Sequence, residues 1–114
     1  LLEWLETQRR PGVVPAELYQ EAATRAGAAG YGDVFMNRGG SKVSFIGHGI
    51  GLELDEWPVL ADGWTDPLLP GMAVAVEPKL IFDDGGVGLE NTYVIQESGP
   101  ARKFPIFDED LIRL

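Results

Sequence analysis

The sequence contains no cysteine, one histidine and no apolar run long enough to cross a membrane. Without cysteine, disulfides, thiolate metal ligands and cysteine nucleophiles are all excluded. A membrane span would need about 18 or more consecutive apolar residues, and a secretory signal would need a basic start followed by an apolar segment. Because neither pattern is found, we expect a cytoplasmic protein that makes no membrane contact.

Basic residues are also scarce, with nine Lys and Arg against eighteen Asp and Glu, a net charge of −9. This balance argues against binding to nucleic acid or to an acidic membrane. Residues 43–101 hold ten of the acids and a single base, Lys79, so the whole imbalance lies in this segment. The segment is either a solvated acidic face or a place where carboxylates converge on cations, and the positions of the carboxylates must decide.

The 114 residues suffice for one modest core, and they divide into a helical and an extended part. Residues 1–10 have the pattern of the end of a helix, and residues 16–29, after Pro15 at a first helical position, that of a second helix. The inner stripe of this second helix is made of small side chains: Leu18, Ala22, Ala26 and Ala29. A glycine-rich loop follows, at Gly30, Gly32, Gly39 and Gly40. Three short extended runs complete the pattern, at 43–47, 72–77 and 87–96. Two helices followed by a mostly antiparallel sheet predict an α+β fold.

The only histidine, His48, lies between Gly47 and Gly49 at the predicted end of a strand. Glycine on both sides allows the backbone to approach closely and to adopt a positive φ. His48 is therefore either an ordinary packed or exposed side chain or a functional imidazole held at the end of a strand.

Two glutamates, Glu77 and Glu90, are predicted to share one small-residue face of a β-hairpin. A two-residue turn at Asp83-Asp84 places them directly opposite each other, whereas a turn at Asp84-Gly85 places them diagonally. In either register the carboxylates lie within about 4.5–8 Å, and their repulsion requires a shared proton or a cation. The alternative is a slipped pairing that leaves both glutamates exposed. Together with one imidazole, two glutamates suit Mn, Fe, Co or Zn ions.

Three ordered motifs resemble the C-terminal half of the pita-bread metallopeptidases of the M24 type, which include Xaa-Pro dipeptidase, Xaa-Pro aminopeptidase, methionine aminopeptidase and creatinase. The motifs are residues 47–53 (GHGIGLE), 70–78 (PGMAVAVEP) and 86–92 (GVGLENT). The helix at 15–29 and the closing Phe104-Pro105-Ile106 segment fit as well.

The resemblance implies that residues 1–114 are the C-terminal part of a single pita-bread catalytic domain whose N-terminal half is absent. It also implies that His48, Glu77 and Glu90 are three of five ligands to two divalent ions (Mn, Co, Zn or Fe), with two Asp of the first half as the others. His48 and Glu77 would be catalytic residues in the intact protein.

The sequence departs from the family's pattern at positions associated with substrate binding and proton handling. Asp55 stands where the peptidases usually carry a second His, seven residues after the ligand His, and Ser44 where prolidase-like members carry another. Gly88 and Asn91 replace the Arg and Asp that often flank the last Glu. Asp55 and Ser44 are therefore our candidate substrate-binding residues, and the departures predict a divergent member.

The resemblance predicts a fragment of a dinuclear-metal-dependent, peptidase-like hydrolase that acts on short peptides, Xaa-Pro bonds among them. The alternative is a divergent non-peptidase or binding-only member of the same fold that recognises a small molecule. Because three of five ligands remain, this chain alone is expected to be inactive and to hold metal weakly or not at all. The expected assembly is a homodimer.

Overall fold

The computed structural model describes residues 1–38 and 41–104. The predicted loop positions Gly39 and Gly40 and the closing residues Pro105 and Ile106 lie outside these ranges.

Two helices form the N-terminal part, α1 (Leu2–Gln8) and α2 (Pro15–Ala28), as predicted. Pro15 occupies the first turn of α2, where its fixed φ is favourable and its missing N–H costs no hydrogen bond. The predicted inner stripe of α2 is buried except for Ala29, which lies beyond the last helical residue and is exposed. Within the described ranges, no helix is long and apolar enough to cross a membrane.

The described residues that follow α2 form nine short strands. They are β1 (Asn37–Arg38), β2 (Ser41–Lys42), β3 (Phe45–Gly49), β4 (Glu56–Ala61), β5 (Ala73–Val76), β6 (Lys79–Phe82), β7 (Gly85–Gly88), β8 (Asn91–Val94) and β9 (Arg102–Phe104). The main sheet is antiparallel in the order β4-β3-β5-β8-β9, while β1-β2 and β6-β7 form separate two-stranded pairs. The predicted α+β arrangement of two helices and a mostly antiparallel sheet is therefore confirmed.

The strand predictions differ from the structure in three places. The first run lies two residues further along the chain, at Phe45–Gly49, and the third is split at residues 89–90 into β7 and β8. The strand β4 was not predicted, and its Pro58 cannot donate a ladder hydrogen bond. Because β4 is an edge strand, the missing donor is tolerated there.

The core lies between the helices and the main sheet. Its buried apolar members include Leu5, Leu18, Ala22, Phe35, Ile46, Leu60, Leu68, Val74, Val76, Tyr93 and Ile95. Arg9 is also buried, with its guanidinium carbon 3.3 Å from the centre of the Tyr93 ring. Burial lowers the pKa of Arg9 from its ordinary value to about 10 and raises the pKa of Tyr93, whose hydroxyl donates to Glu6 Oε1 at 3.0 Å. This stacked pair ties the end of α1 to β8.

Candidate metal centre

The register of the sheet brings one histidine and two glutamates to one place. His48 lies opposite Ala75 of β5, and Ala75 lies opposite Thr92 of β8, so these three positions form one row across the sheet. Glu77 is two residues beyond Ala75, and Glu90 is two residues before Thr92. Alternate residues share a face, which places both carboxylates beside the imidazole.

The turn that sets this register is the predicted one at Asp83-Asp84. Phe82 pairs with Gly85 across it, and the same register runs through Lys79 opposite Gly88. It continues into the main sheet, where Val76 pairs with Asn91. Glu77 and Glu90 thus occupy matching positions in the break between the two parts of the hairpin, in agreement with the directly opposed alternative.

The donor atoms of His48, Glu77 and Glu90 all lie within 4.8 Å of one another. His48 and Glu77 are buried, whereas Glu90 is exposed. An imidazole nitrogen and carboxylate oxygens grouped so closely form a donor set that suits a divalent cation of the Mn, Fe, Co or Zn kind.

The surroundings of His48 also fit a metal ligand. His48 Nδ1 lies 2.8 Å from Gly49 O, and because a carbonyl can only accept, the proton of the ring is placed on Nδ1. His48 Nε2 then faces two carboxylate oxygens, Asp55 Oδ1 at 3.0 Å and Glu77 Oε1 at 3.3 Å. Two carboxylate oxygens around this nitrogen require either a proton on it or a cation between them, and a backbone carbonyl is a usual partner for the far nitrogen of a ligating histidine.

The glycines beside His48 are required by close packing. A Cβ on Gly47 would lie 2.8 Å from Leu60 Cδ1, and one on Gly49 would overlap the carbonyl of Trp57. The close approach predicted from the sequence is thus confirmed, but the positive φ is not, since neither residue is among the glycines with positive φ. The glycines serve to seat β3 tightly between β4 and β5.

Glu77 is held between two cationic or potentially cationic groups. Its Oε1 faces His48, and its Oε2 accepts from the ammonium of Lys79. The sequence reasoning did not name Lys79 as a site residue. The available signal was its position as the only base in the acidic segment 43–101.

The two candidate substrate-binding residues are placed differently. Asp55 contacts His48 directly, although its side chain remains 74% exposed. Ser44 is exposed and lies just before the start of β3, four residues from His48. A substrate role for either residue stays a prediction.

A pocket of about 390 Å³ opens beside His48 and Asp55. Its remaining walls are Phe45, Glu56, Trp57 and Val59. Trp57 meets the ring of Trp64 edge-on, with 4.2 Å between ring centres. The site therefore combines a polar end at His48 with an apolar, aromatic wall that the sequence reasoning missed together with β4.

Comparison with solved structures defines the class of fold. The prolidase from Pyrococcus horikoshii OT3 superposes with a TM-score of 0.82 at 28% identity, over 96% of this chain and 30% of that chain. The Xaa-Pro dipeptidase from Bacillus anthracis gives a TM-score of 0.81 at 31% identity, over 99% of this chain and 31% of that chain. The two helices and the sheet are the C-terminal portion of the pita-bread fold.

The sequence places the chain within that fold class. The profile of metallopeptidase family M24 matches residues 2–97, and the chain belongs to this family. The Xaa-Pro dipeptidase of Pyrococcus furiosus is 35% identical over 105 residues, which cover 86% of this chain and 28% of the relative. This chain therefore spans less than a third of the length of that relative.

Proposed function

We propose that His48, Glu77 and Glu90 are ligands in the divalent-metal centre of a peptidase that cleaves short peptides at Xaa-Pro bonds. The observation that supports this most is the meeting of three donor atoms within 4.8 Å, with His48 Nε2 turned toward Glu77. A divalent ion bound there supplies Lewis-acid polarisation of the scissile carbonyl and a water activated at neutral pH.

Groups of this chain would orient the imidazole, transfer a proton and bind the substrate. Gly49 O holds the imidazole of His48 in one orientation by accepting from Nδ1, so that Nε2 stays available. Glu77 is buried and adjoins His48, so its carboxylate is placed to take a proton from an attacking water and to return it to the leaving amine. The pocket lined by Phe45 and Trp57 lies next to His48 and offers an apolar surface for a side chain of the substrate.

One observation favours a second candidate function, a binding-only or non-peptidase member of the family acting on a small molecule. The Asp55 carboxylate lies 3.0 Å from His48 Nε2, where it cannot donate a hydrogen bond to a carbonyl or oxyanion. A site with this anion would bind a cationic or hydrogen-bond-donating group better than a peptide carboxylate.

Several finer expectations stay predictions. These are two divalent ions in the intact centre, a cytoplasmic homodimer, and residues 1–114 as the C-terminal part of one catalytic domain. They are carried by the family resemblance.

The test is release of proline from Xaa-Pro dipeptides by the full-length protein. We expect turnover that requires added Mn²⁺ or Co²⁺ and that is lost in His48→Ala and in Glu77→Gln. The matched control is Glu97→Gln, a loss of the same charge at an exposed position. Absence of turnover in a protein shown to hold its metal would reject the peptidase in favour of the binding-only function.

A further inference from the structure

Lys79 is the one base in a segment with ten acids, and its ammonium is paired with Glu77. The pair joins a half-exposed lysine (43%) to a largely buried glutamate (11%). The carboxylate that Lys79 contacts is one of the three grouped metal-ligating candidates. Lys79 is therefore paired with a residue of the candidate site and not with a solvated surface carboxylate.

The fold holds Lys79 in this position. The residue begins β6, its N–H donates to Met36 Sδ at 3.2 Å, and its carbonyl accepts from Met36 N–H at 2.9 Å. Residues 77 and 79 are two apart, so their side chains tend toward the same side of the hairpin.

The residue opposite Lys79 leaves room for its side chain. Gly88 is its partner across the hairpin, and a Cβ on Gly88 would lie 2.6 Å from Lys79 Cγ. The stem of the lysine therefore lies over a position without a side chain. Any larger residue there would force the stem to move.

The two oxygens of Glu77 face different groups. Oε1 faces His48 Nε2 at 3.3 Å, the side on which a metal ion would share both atoms, and Oε2 is taken by the Lys79 ammonium. Two-metal sites place their ions about 3.5–4 Å apart, so the ligands next to one ion are close to the other as well. An ammonium on this carboxylate would also repel a second dication at short range.

We propose that Lys79 is a resident cation that holds one of the two cation positions of this site. The protein then binds one divalent ion, in place of the two that the family resemblance predicts, and the same site without the lysine binds two. This inference rests on the metal site of the proposed function, but it concerns the number of ions bound and not the reaction.

The experiment counts ions in the full-length protein by equilibrium dialysis against Mn²⁺ followed by elemental analysis. Wild type should hold about one ion per chain, and Lys79→Met and Lys79→Gln should each hold about two. Lys79→Arg keeps the charge and should stay near one. Lys103→Met removes a lysine that lies 3.7 Å from Glu6, away from the site, and should also match wild type.

Electron paramagnetic resonance of the Mn²⁺-loaded proteins gives a second readout. Wild type should show the spectrum of isolated Mn²⁺, and Lys79→Met that of an exchange-coupled pair. Equal ion counts in wild type and both neutral variants would overturn the proposal, as would two ions in Lys79→Arg. A protein that binds its single ion as expected but releases no proline would reject the peptidase function alone, so the two failures are distinguishable.

Discussion

Replacing Asp55 tests how the charge beside His48 shapes the substrate. Asp55 Oδ1 lies 3.0 Å from His48 Nε2, at the mouth of the pocket lined by Phe45 and Trp57. An ionised Asp cannot donate to a substrate carbonyl or to a developing oxyanion, and it repels a peptide carboxylate. Asp55→Asn and Asp55→His both remove the repulsion, and both add a possible donor, an amide N–H or an imidazole N–H.

The expected change in kcat/KM depends on how far the Asp55 side chain is exposed to solvent. Two unit charges about 4 Å apart interact by about 1 kcal/mol in water and about 4 kcal/mol near a protein surface. Because Asp55 is 74% exposed, we take the value for water. This corresponds to about a fivefold rise in kcat/KM for Asp55→Asn. A well-placed donor to an oxyanion is worth about a hundredfold or more, so a gain well above about fivefold in either variant would mean that the new side chain also donates to the oxyanion.

The assay compares Ala-Pro with Ala-Pro amide in the metal-loaded, full-length protein. The charge argument predicts a gain for the free acid in Asp55→Asn and no gain for the amide. Asp66→Asn removes a charge at another exposed position and serves as the matched control. Fast turnover of Ala-Pro by wild type, unaltered in Asp55→Asn and Asp55→His, would show that Asp55 merely faces solvent and would refute the reasoning.

Two further predictions concern stability, measured by urea unfolding of the purified protein. The free energy of unfolding of Arg9→Met should lie within about 1 kcal/mol of that of wild type, because methionine keeps the buried stem and removes the buried charge. Within the described part of the chain, Nε and Nη2 of that guanidinium have no hydrogen-bond partner. Arg9→Ala also removes the stem and should cost about 2–4 kcal/mol. Equal losses in the two variants would mean that the stacking on Tyr93 outweighs the cost of burying the charge. Gly49→Ala should cost about 1–3 kcal/mol or more, because the added Cβ overlaps the Trp57 carbonyl. Its control, Gly27→Ala, meets nothing within 4 Å in α2 and should stabilise by about 0.5–1 kcal/mol, so equal effects at the two glycines would contradict the packing argument.

Much of the fold could be predicted because its signals are local. Pro15 marks the start of α2, and the turn at Asp83-Asp84 sets the register of the β6-β7 hairpin. The strand β4 escaped prediction, because a proline within a short run argues against a strand unless the run lies at a sheet edge. Which strands form the edges is decided by the whole sheet, and no local pattern records it.

The residues of the site differ in the same way, since some have local sequence signals and others do not. Glu77 and Glu90 could be paired because alternation and one turn suffice to place them, whereas His48 was joined to them by the family resemblance. The ion pair between Lys79 and Glu77 could not, because it depends on the absence of a side chain at Gly88, nine residues away in sequence. Contacts of this kind follow from packing across the hairpin.

Asp55 and Lys79 change the site in separable ways because they touch different atoms. Asp55 meets His48 Nε2 from an exposed loop, where a substrate group can reach it, whereas Lys79 meets Glu77 Oε2 beside the hairpin. Substitution of Asp55 should therefore alter the preference between acid and amide substrates while the ion count stays constant. Substitution of Lys79 should alter the ion count while that preference stays constant. If either variant moved both quantities, the two charges would have to act on a shared group, and the assignment of one to the substrate and the other to the metal would be wrong.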